Sequence, residues 1–232
     1  MNATDPATNT NPRLNRLRAR LTLLRWRLAT RRLAIVKRLL DITLSLLGLL
    51  CLSPLFLLVA MAIWLHDRGP VLFWQKRVGL DGREFDFPKF RSMRQDAEAV
   101  RAQLAQANQH GSGGVTFKMK RDPRITPVGR FIRRASIDEL PQLWCVLRGD
   151  MSLVGPRPPL VSEVAAYSML DRQRLVVLPG LTCTWQVAGR SEIPFPKQVL
   201  MDIEYIQQRS VANEIKLIAR TVPAVIRGHG AY

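Results

Sequence analysis

An uncharged stretch from Ile42 to Leu65, ITLSLLGLLCLSPLFLLVAMAIWL, constrains this chain more than any other part of it. It is longer than the roughly 20 apolar residues a helix needs to cross a bilayer. It starts too late, behind too long a basic lead and without a small-residue cleavage site, to be a secretory signal. Two features speak against a plain crossing. Ser53-Pro54 lies at the midpoint, where proline removes a backbone hydrogen bond and bends a helix. Both flanks are also basic, with Lys37 and Arg38 before the run and Arg68, Lys76 and Arg77 after it. Positive residues prefer the cytoplasmic side, so one crossing would strand one flank. The pattern favours a re-entrant membrane helix over residues 39–66, broken at Ser53-Pro54, over a spanning one. The Ser53 hydroxyl is placed to satisfy a carbonyl freed by Pro54. Asp41, at the apolar edge, is expected to pair with Lys37 or Arg38.

The lead is distinctive too. Residues 1–12 are polar and read as a disordered tail. Residues 13–38 carry ten Arg and Lys, while Leu14, Leu17, Leu21, Leu24 and Leu28 recur at spacings of three and four. That is a basic amphipathic segment suited to a membrane surface, with a nucleic-acid-binding arm as the alternative. The formal charge of the whole chain, +17, points to an anionic partner: nucleic acid, an anionic membrane or phosphorylated substrates. Cys51, Cys145 and Cys183 are far apart and form no CxxC, so neither a disulfide framework nor a structural zinc site is expected. The three histidines are scattered and suggest no metal site.

Residues 67–232 read as one α+β domain of short, mixed elements rather than a doubly wound sheet, with amphipathic helices at its surface. Val71–Trp74 and Arg83–Phe90 form strands around an Asp81-Gly82 turn, with Phe85 and Phe87 on one face. Trp64, Phe73 and Trp74 suit the headgroup level of a membrane as well as a core. A polar helix over 94–108, a flexible loop at 111–114 and a strand over 117–120 lead to a short helix over 128–134. Then comes Ser136-Ile137-Asp138-Glu139-Leu140-Pro141: two adjacent carboxylates between Arg130, Arg133 and Arg134 on one side and Arg148 and Arg157 on the other. Either Ser136 or Asp138 serves as N-cap of a helix ending at Gly149, with Leu140, Leu143, Trp144 and Leu147 on one face. Prolines around Arg157 hold it in place. Glu163–Val177 reads as a helix, Leu181–Val187 as a strand, and 197–208 and 212–226 as helices. Taken alone, the acid pair fits helix capping and surface ion pairs as well as a site for phosphates and a metal.

Several motifs occur in a fixed order: Lys37-Arg38-Leu39-Leu40-Asp41, Ser53-Pro54, Lys89-Phe90-Arg91-Ser92-Met93, Ser136 to Leu143, Gly149-Asp150-Met151-Ser152, Gly155-Pro156-Arg157-Pro158, Pro179-Gly180-Leu181-Thr182 and Trp185-Gln186-Val187-Ala188-Gly189-Arg190. The set resembles the bacterial sugar transferase family, the monotopic polyprenol-phosphate phosphoglycosyl transferases, over about residues 32–232. The resemblance implies a short, exopolysaccharide-type enzyme. It would move a sugar-1-phosphate from a UDP-sugar to undecaprenyl phosphate, with Mg2+ and release of UMP, on the cytoplasmic face of the bacterial inner membrane. By position, Asp138 matches the family's nucleophile and Glu139 its metal-associated partner. Lys89, Arg133, Arg157, Gln186 and Arg190 match residues near the phosphates, and Pro54 matches the helix break. A homo-oligomer is compatible with this reading, and nucleic acid has no part in it. Cys183-Thr184 and Ser92 depart from the family pattern away from the acid pair. The competing function is a non-enzymatic, membrane-anchored basic adaptor or nucleic-acid-binding protein.

Overall fold

The computed structural model describes residues 12–97, 122–189 and 192–227, with side chains described from residue 34 to residue 224. The tail, the basic side chains of 13–31, most of the polar 94–108 segment, the 117–120 strand and Arg190 lie outside the described residues. Two units divide at Leu39 and Leu40. The second, from Leu40 onward, carries the hairpin, the later helices and the candidate site.

Helix α1 runs from Pro12 to Asp67 and continues through Pro54. Proline at 54 cannot donate to the carbonyl of Leu50, and Ser53 Oγ donates to that oxygen at 2.8 Å. The Ser-Pro pair therefore carries its own repair of the missing backbone bond, and the helical backbone continues across it. Within the second unit, one stripe of α1 is buried: Asp41, Ser45, Val59 and Ile63. The opposite side, including Leu46, Leu47, Leu50, Leu57, Leu58, Met61 and Leu65, is exposed. Residues Ala34–Asp67 are long and apolar enough to cross a membrane, and only 11% of their most apolar stretch is buried. A core helix of a soluble protein would be covered. This one presents its apolar side chains outward, which suits a lipid environment.

Strands β1 (Leu72–Val78) and β2 (Glu84–Phe90) form the expected antiparallel hairpin, with Val78 opposite Glu84 and Leu72 opposite Phe90. Asp81 (φ 54°) and Gly82 (φ 80°) make the turn, since both residue types tolerate the left-handed region. Alternation gives the hairpin two apolar faces. Phe85 and Phe87 pack with Cys145, Val146 and Met151. Phe90 points the other way, to Val59 and Ile63 of α1 and to Ile132, and meets Phe56 edge-on at 5.6 Å between centroids.

Helix α2 (Pro127–Arg134) begins at Thr126, whose hydroxyl accepts from the Gly129 N–H at 2.9 Å, with proline in its favoured first position. The next segment departs from expectation. Ser136 takes a left-handed conformation and caps nothing, and residues Ile137–Gln142 form a 3-10 turn. The α-helix proper, α3, spans only Leu143–Arg148. Pro141 explains this, because in an α-helix its ring would crowd the carbonyl of Ile137 and it has no N–H to donate. The tighter turn advances the chain by about 120° per residue instead of about 100°, which shifts the helical face by about a third of a turn over six residues. Leu143, Cys145 and Val146 are accordingly buried, while Trp144, assigned from periodicity to the apolar face, is exposed. Gly149 closes α3 in the left-handed conformation, as expected.

Strands β3 (Ser152–Val154) and β4 (Gly180–Thr182) pair in parallel. Between them, the helix expected over 163–177 is two pieces, α4 (Val161–Ala165) and a 3-10 turn (Asp171–Val176). Asp171 accepts from both the N–H and the hydroxyl of Ser168, so side chains capture the backbone that a continuous helix would use. The strand expected over 181–187 ends at Thr182, and Thr184–Ala188 form the short helix α5. Helices α6 (Phe195–Gln207) and α7 (Val211–Arg227) close the chain. Leu217 packs with Val154 and Tyr205, whereas Ile215 and Val222 face outward. A buried pair joins the 3-10 turn to α6, with Arg174 Nη2 2.6 Å from Asp202 Oδ2.

Candidate active site

The 3-10 turn places Asp138 and Glu139 against β2 and the last turn of α2. Lys89 lies on the same face of β2 as Phe85 and Phe87, one step beyond the aromatic pair. Its Nζ is 3.2 Å from Glu139 Oε1 and 5.3 Å from the centre of the Phe87 ring. Arg157 comes from the proline-rich turn after β3, and its Nη2 donates to the same Glu139 oxygen at 3.1 Å. Three of the residues singled out from sequence thus meet directly around one carboxylate oxygen.

The two acids have opposite environments. Burial works against the charge on Glu139, but Arg157 and Lys89 outweigh it and hold the carboxyl well below the usual range. Burial pushes Asp138 up to about 6, with the adjacent Glu139 adding to the rise and Lys89, Arg133 and Arg157 opposing it. Lys89 is itself lowered by burial, whereas Arg157 is raised by Glu139. Among the described residues, neither oxygen of Asp138 nor the second oxygen of Glu139 has a hydrogen-bond partner. One acid is clamped and ionised, while the other is buried, less acidic and uncommitted.

Arg133, at the end of α2, is half-buried and near enough to favour the charge on Asp138. Gln186 is placed on α5, and its Oε1 is buried without a partner among the described residues. Among the described residues, no hydrogen bond joins it to the acid pair. The start of α5 does approach the cluster, since the Cys183 thiol feels the charge of Arg157, although burial pushes that thiol far up. Among the described residues, no three of the metal-ligating His, Cys, Asp or Glu come together.

Sequence reasoning passed over Arg77, counting it only as a flanking charge. It is buried, with its guanidinium 5.2 Å from the centre of the Phe87 ring. The signal was present in the strand alternation. Arg77 faces Phe85 across the hairpin, so it shares the face that carries Phe87 and Lys89.

The family model described as bacterial sugar transferase matches residues 32–228. The chain is 47% identical over 193 residues to a galactosyl transferase, CpsE, of Streptococcus agalactiae, covering 83% of this chain and 42% of that one. It is 36% identical over 194 residues to the exopolysaccharide production protein ExoY of Sinorhizobium fredii, covering 83% and 86%. It is 42% identical over 203 residues to a UDP-glucose:undecaprenyl-phosphate glucose-1-phosphate transferase of Caulobacter vibrioides, covering 83% and 70%. The chain belongs to the bacterial sugar transferase family. It spans about two fifths of the length of several of its curated relatives.

Proposed function

We propose that this protein transfers a sugar-1-phosphate from a UDP-sugar to undecaprenyl phosphate at the cytoplasmic face of the bacterial inner membrane, opening the membrane phase of exopolysaccharide or related glycoconjugate synthesis. The observation that carries the reading is the division of labour in the acid pair: Glu139 is held ionised by Arg157 and Lys89, while Asp138 is buried beside it with both oxygens uncommitted. Family membership and the names of the relatives support the same chemistry.

The reaction runs in two displacements. A carboxylate oxygen of Asp138 attacks the sugar-bearing phosphorus of the UDP-sugar, and the bond from that phosphorus to the bridging oxygen breaks, releasing UMP. The phosphate oxygen of undecaprenyl phosphate then attacks the same phosphorus. This breaks the acyl phosphate, regenerates the Asp138 carboxylate and yields a diphosphate-linked lipid. Both steps pile charge on non-bridging oxygens, and the arginine forks of Arg157 and Arg133 suit those oxygens in shape and sign. The second oxygen of Glu139, which neither Lys89 nor Arg157 uses, fits Mg2+, an ion that typically takes one or two carboxylates and completes its shell with water and substrate phosphates. When bound, the ion supplies charge neutralisation at the phosphates. Arg190 and Gln186, as the family pattern implies, complete the phosphate surroundings.

The test is a panel of UDP-sugars with Mg2+ and undecaprenyl phosphate, scored for the nucleotide released. UMP is expected, and UDP in its place would show ordinary glycosyl transfer and overturn the reading.

The anchor is re-entrant in this proposal, and its two ends support that. Asp41 accepts from Ser152 Oγ at 3.0 Å and from the Leu153 N–H at 2.9 Å. At the other end, Asp67 is ion-paired with Arg91. Both ends of the apolar run are therefore tied to one polar domain, whereas a crossing helix would place them on opposite sides of the membrane. Reporters fused at residue 10 and at residue 232 are expected to lie on the same, cytoplasmic side. Opposite sides would rule out re-entry.

A further inference from the structure

We propose that Arg77 is a positioning residue: it fixes the Pro156–Pro159 turn so that Arg157 meets Glu139. The proposal rests on the activity proposed above for what the positioning serves, though not for the contacts themselves. The turn has an unusual handicap. Pro156, Pro158 and Pro159 have no N–H, so it can be tied down almost only through its carbonyls. Each of these three carbonyls has a donor. Pro156 O accepts from the Gly180 N–H at 2.8 Å, and Pro159 O accepts from the Val78 N–H at 3.0 Å. Pro158 O, the carbonyl next after Arg157, accepts from a side chain, Arg77 Nη1, at 3.0 Å.

Arg77 is itself held firmly. Its Nη2 donates to Gln75 Oε1 at 2.8 Å, its guanidinium rests on the Phe87 ring, and its backbone bridges to Leu160. Burial and the nearby Arg157 push it down to about 10, a cost that its contacts must offset. A buried arginine is an expensive way to hold one carbonyl. The expense makes sense where the next residue along must present a second guanidinium within a few tenths of an ångström. Lysine could reach only one of the two acceptors, because it lacks the fork.

A double-mutant cycle on the full-length protein in lipid nanodiscs tests this. Arg77→Met is expected to lower kcat for UMP release by about 10- to 100-fold while KM for the UDP-sugar changes little, and Arg77→Lys should fall between it and wild type. In an Arg157→Met background, Arg77→Met should cost almost nothing more, because the group it positions is gone. The same penalty in both backgrounds would mark Arg77 as a general strut and overturn the proposal. Amide exchange supplies a readout independent of turnover. Peptides covering 153–160 should exchange faster in Arg77→Met while those of α6 do not, and unchanged exchange at 153–160 also overturns the proposal. If the wild type releases no UMP, the proposed activity fails, and the exchange comparison still decides the role of Arg77. Should Arg77→Met not accumulate, Gln75→Leu frees Nη2 and should move both readouts in the same direction by less.

Discussion

Asp138→Asn is expected to abolish UMP release, with a loss of at least about a thousandfold, and to remove any phosphosugar adduct trapped on the enzyme. The substitution keeps the size of the side chain and removes the oxygen nucleophile. Asp138 makes no hydrogen bond or ion pair among the described residues, so the amide leaves no partner stranded and the fold should be unaffected. An unchanged rate would take Asp138 out of its role. The same carboxyl sets a pH signature. Burial and Glu139 raise it to about 6, so its reactive, ionised form is lost as pH falls through that value. At limiting Mg2+, kcat/KM should drop about tenfold per unit below pH 6 and level off above it. Added Mg2+ should move this acid limb to lower pH, because nearby positive charge favours the carboxylate. A profile that is flat down to pH 4 at limiting Mg2+ would show that another group attacks.

Gly180→Ala is expected to prevent accumulation of folded protein, at a cost of more than about 3 kcal/mol. A Cβ at 180 would lie 2.0 Å from the Gly155 nitrogen and 2.7 Å from its Cα. Those atoms are backbone and have nowhere to go, since Gly155 leads directly into the turn that carries Arg157. Thermal unfolding in detergent, followed by tryptophan fluorescence, would check this. A melting temperature within a few degrees of wild type would mean that β3 and β4 can move apart.

These two positions also show what was legible beforehand. The acid pair stood out because two adjacent carboxylates in a strongly basic setting are unusual, and the ordered motifs then gave each acid a role. The hairpin was legible because Phe85, Phe87 and the Asp81-Gly82 turn follow rules that act over two or three residues. The 3-10 turn was not. Periodicity assumes one angular step per residue, and Pro141 changes that step locally, which put Trp144 on the wrong face. Gly180 figured in the sequence only as a member of the Pro179-Gly180-Leu181-Thr182 motif, whereas its importance lies in contact with a residue 25 positions earlier, Gly155. Asp41 was assigned to neighbours one turn away, but the structure adds Ser152 and Leu153 as partners. Long-range closeness of this kind leaves no trace in local spacing.

The contacts of α1 have a practical corollary. A fragment beginning near residue 69, cut to obtain the enzyme free of lipid, would lose more than an anchor. Phe90, Ile132 and Val128 would be stripped of Val59, Ile63 and Phe56. Arg91 would lose its Asp67 counter-charge, and the buried Ser152 hydroxyl would lose the Asp41 carboxylate. The apolar helix is in that sense part of the interior of the domain it tethers. Solubility in this protein should be sought by recolouring the outward side of the helix, at Leu46, Leu50, Leu57 and Leu58, with the inward stripe left as it is.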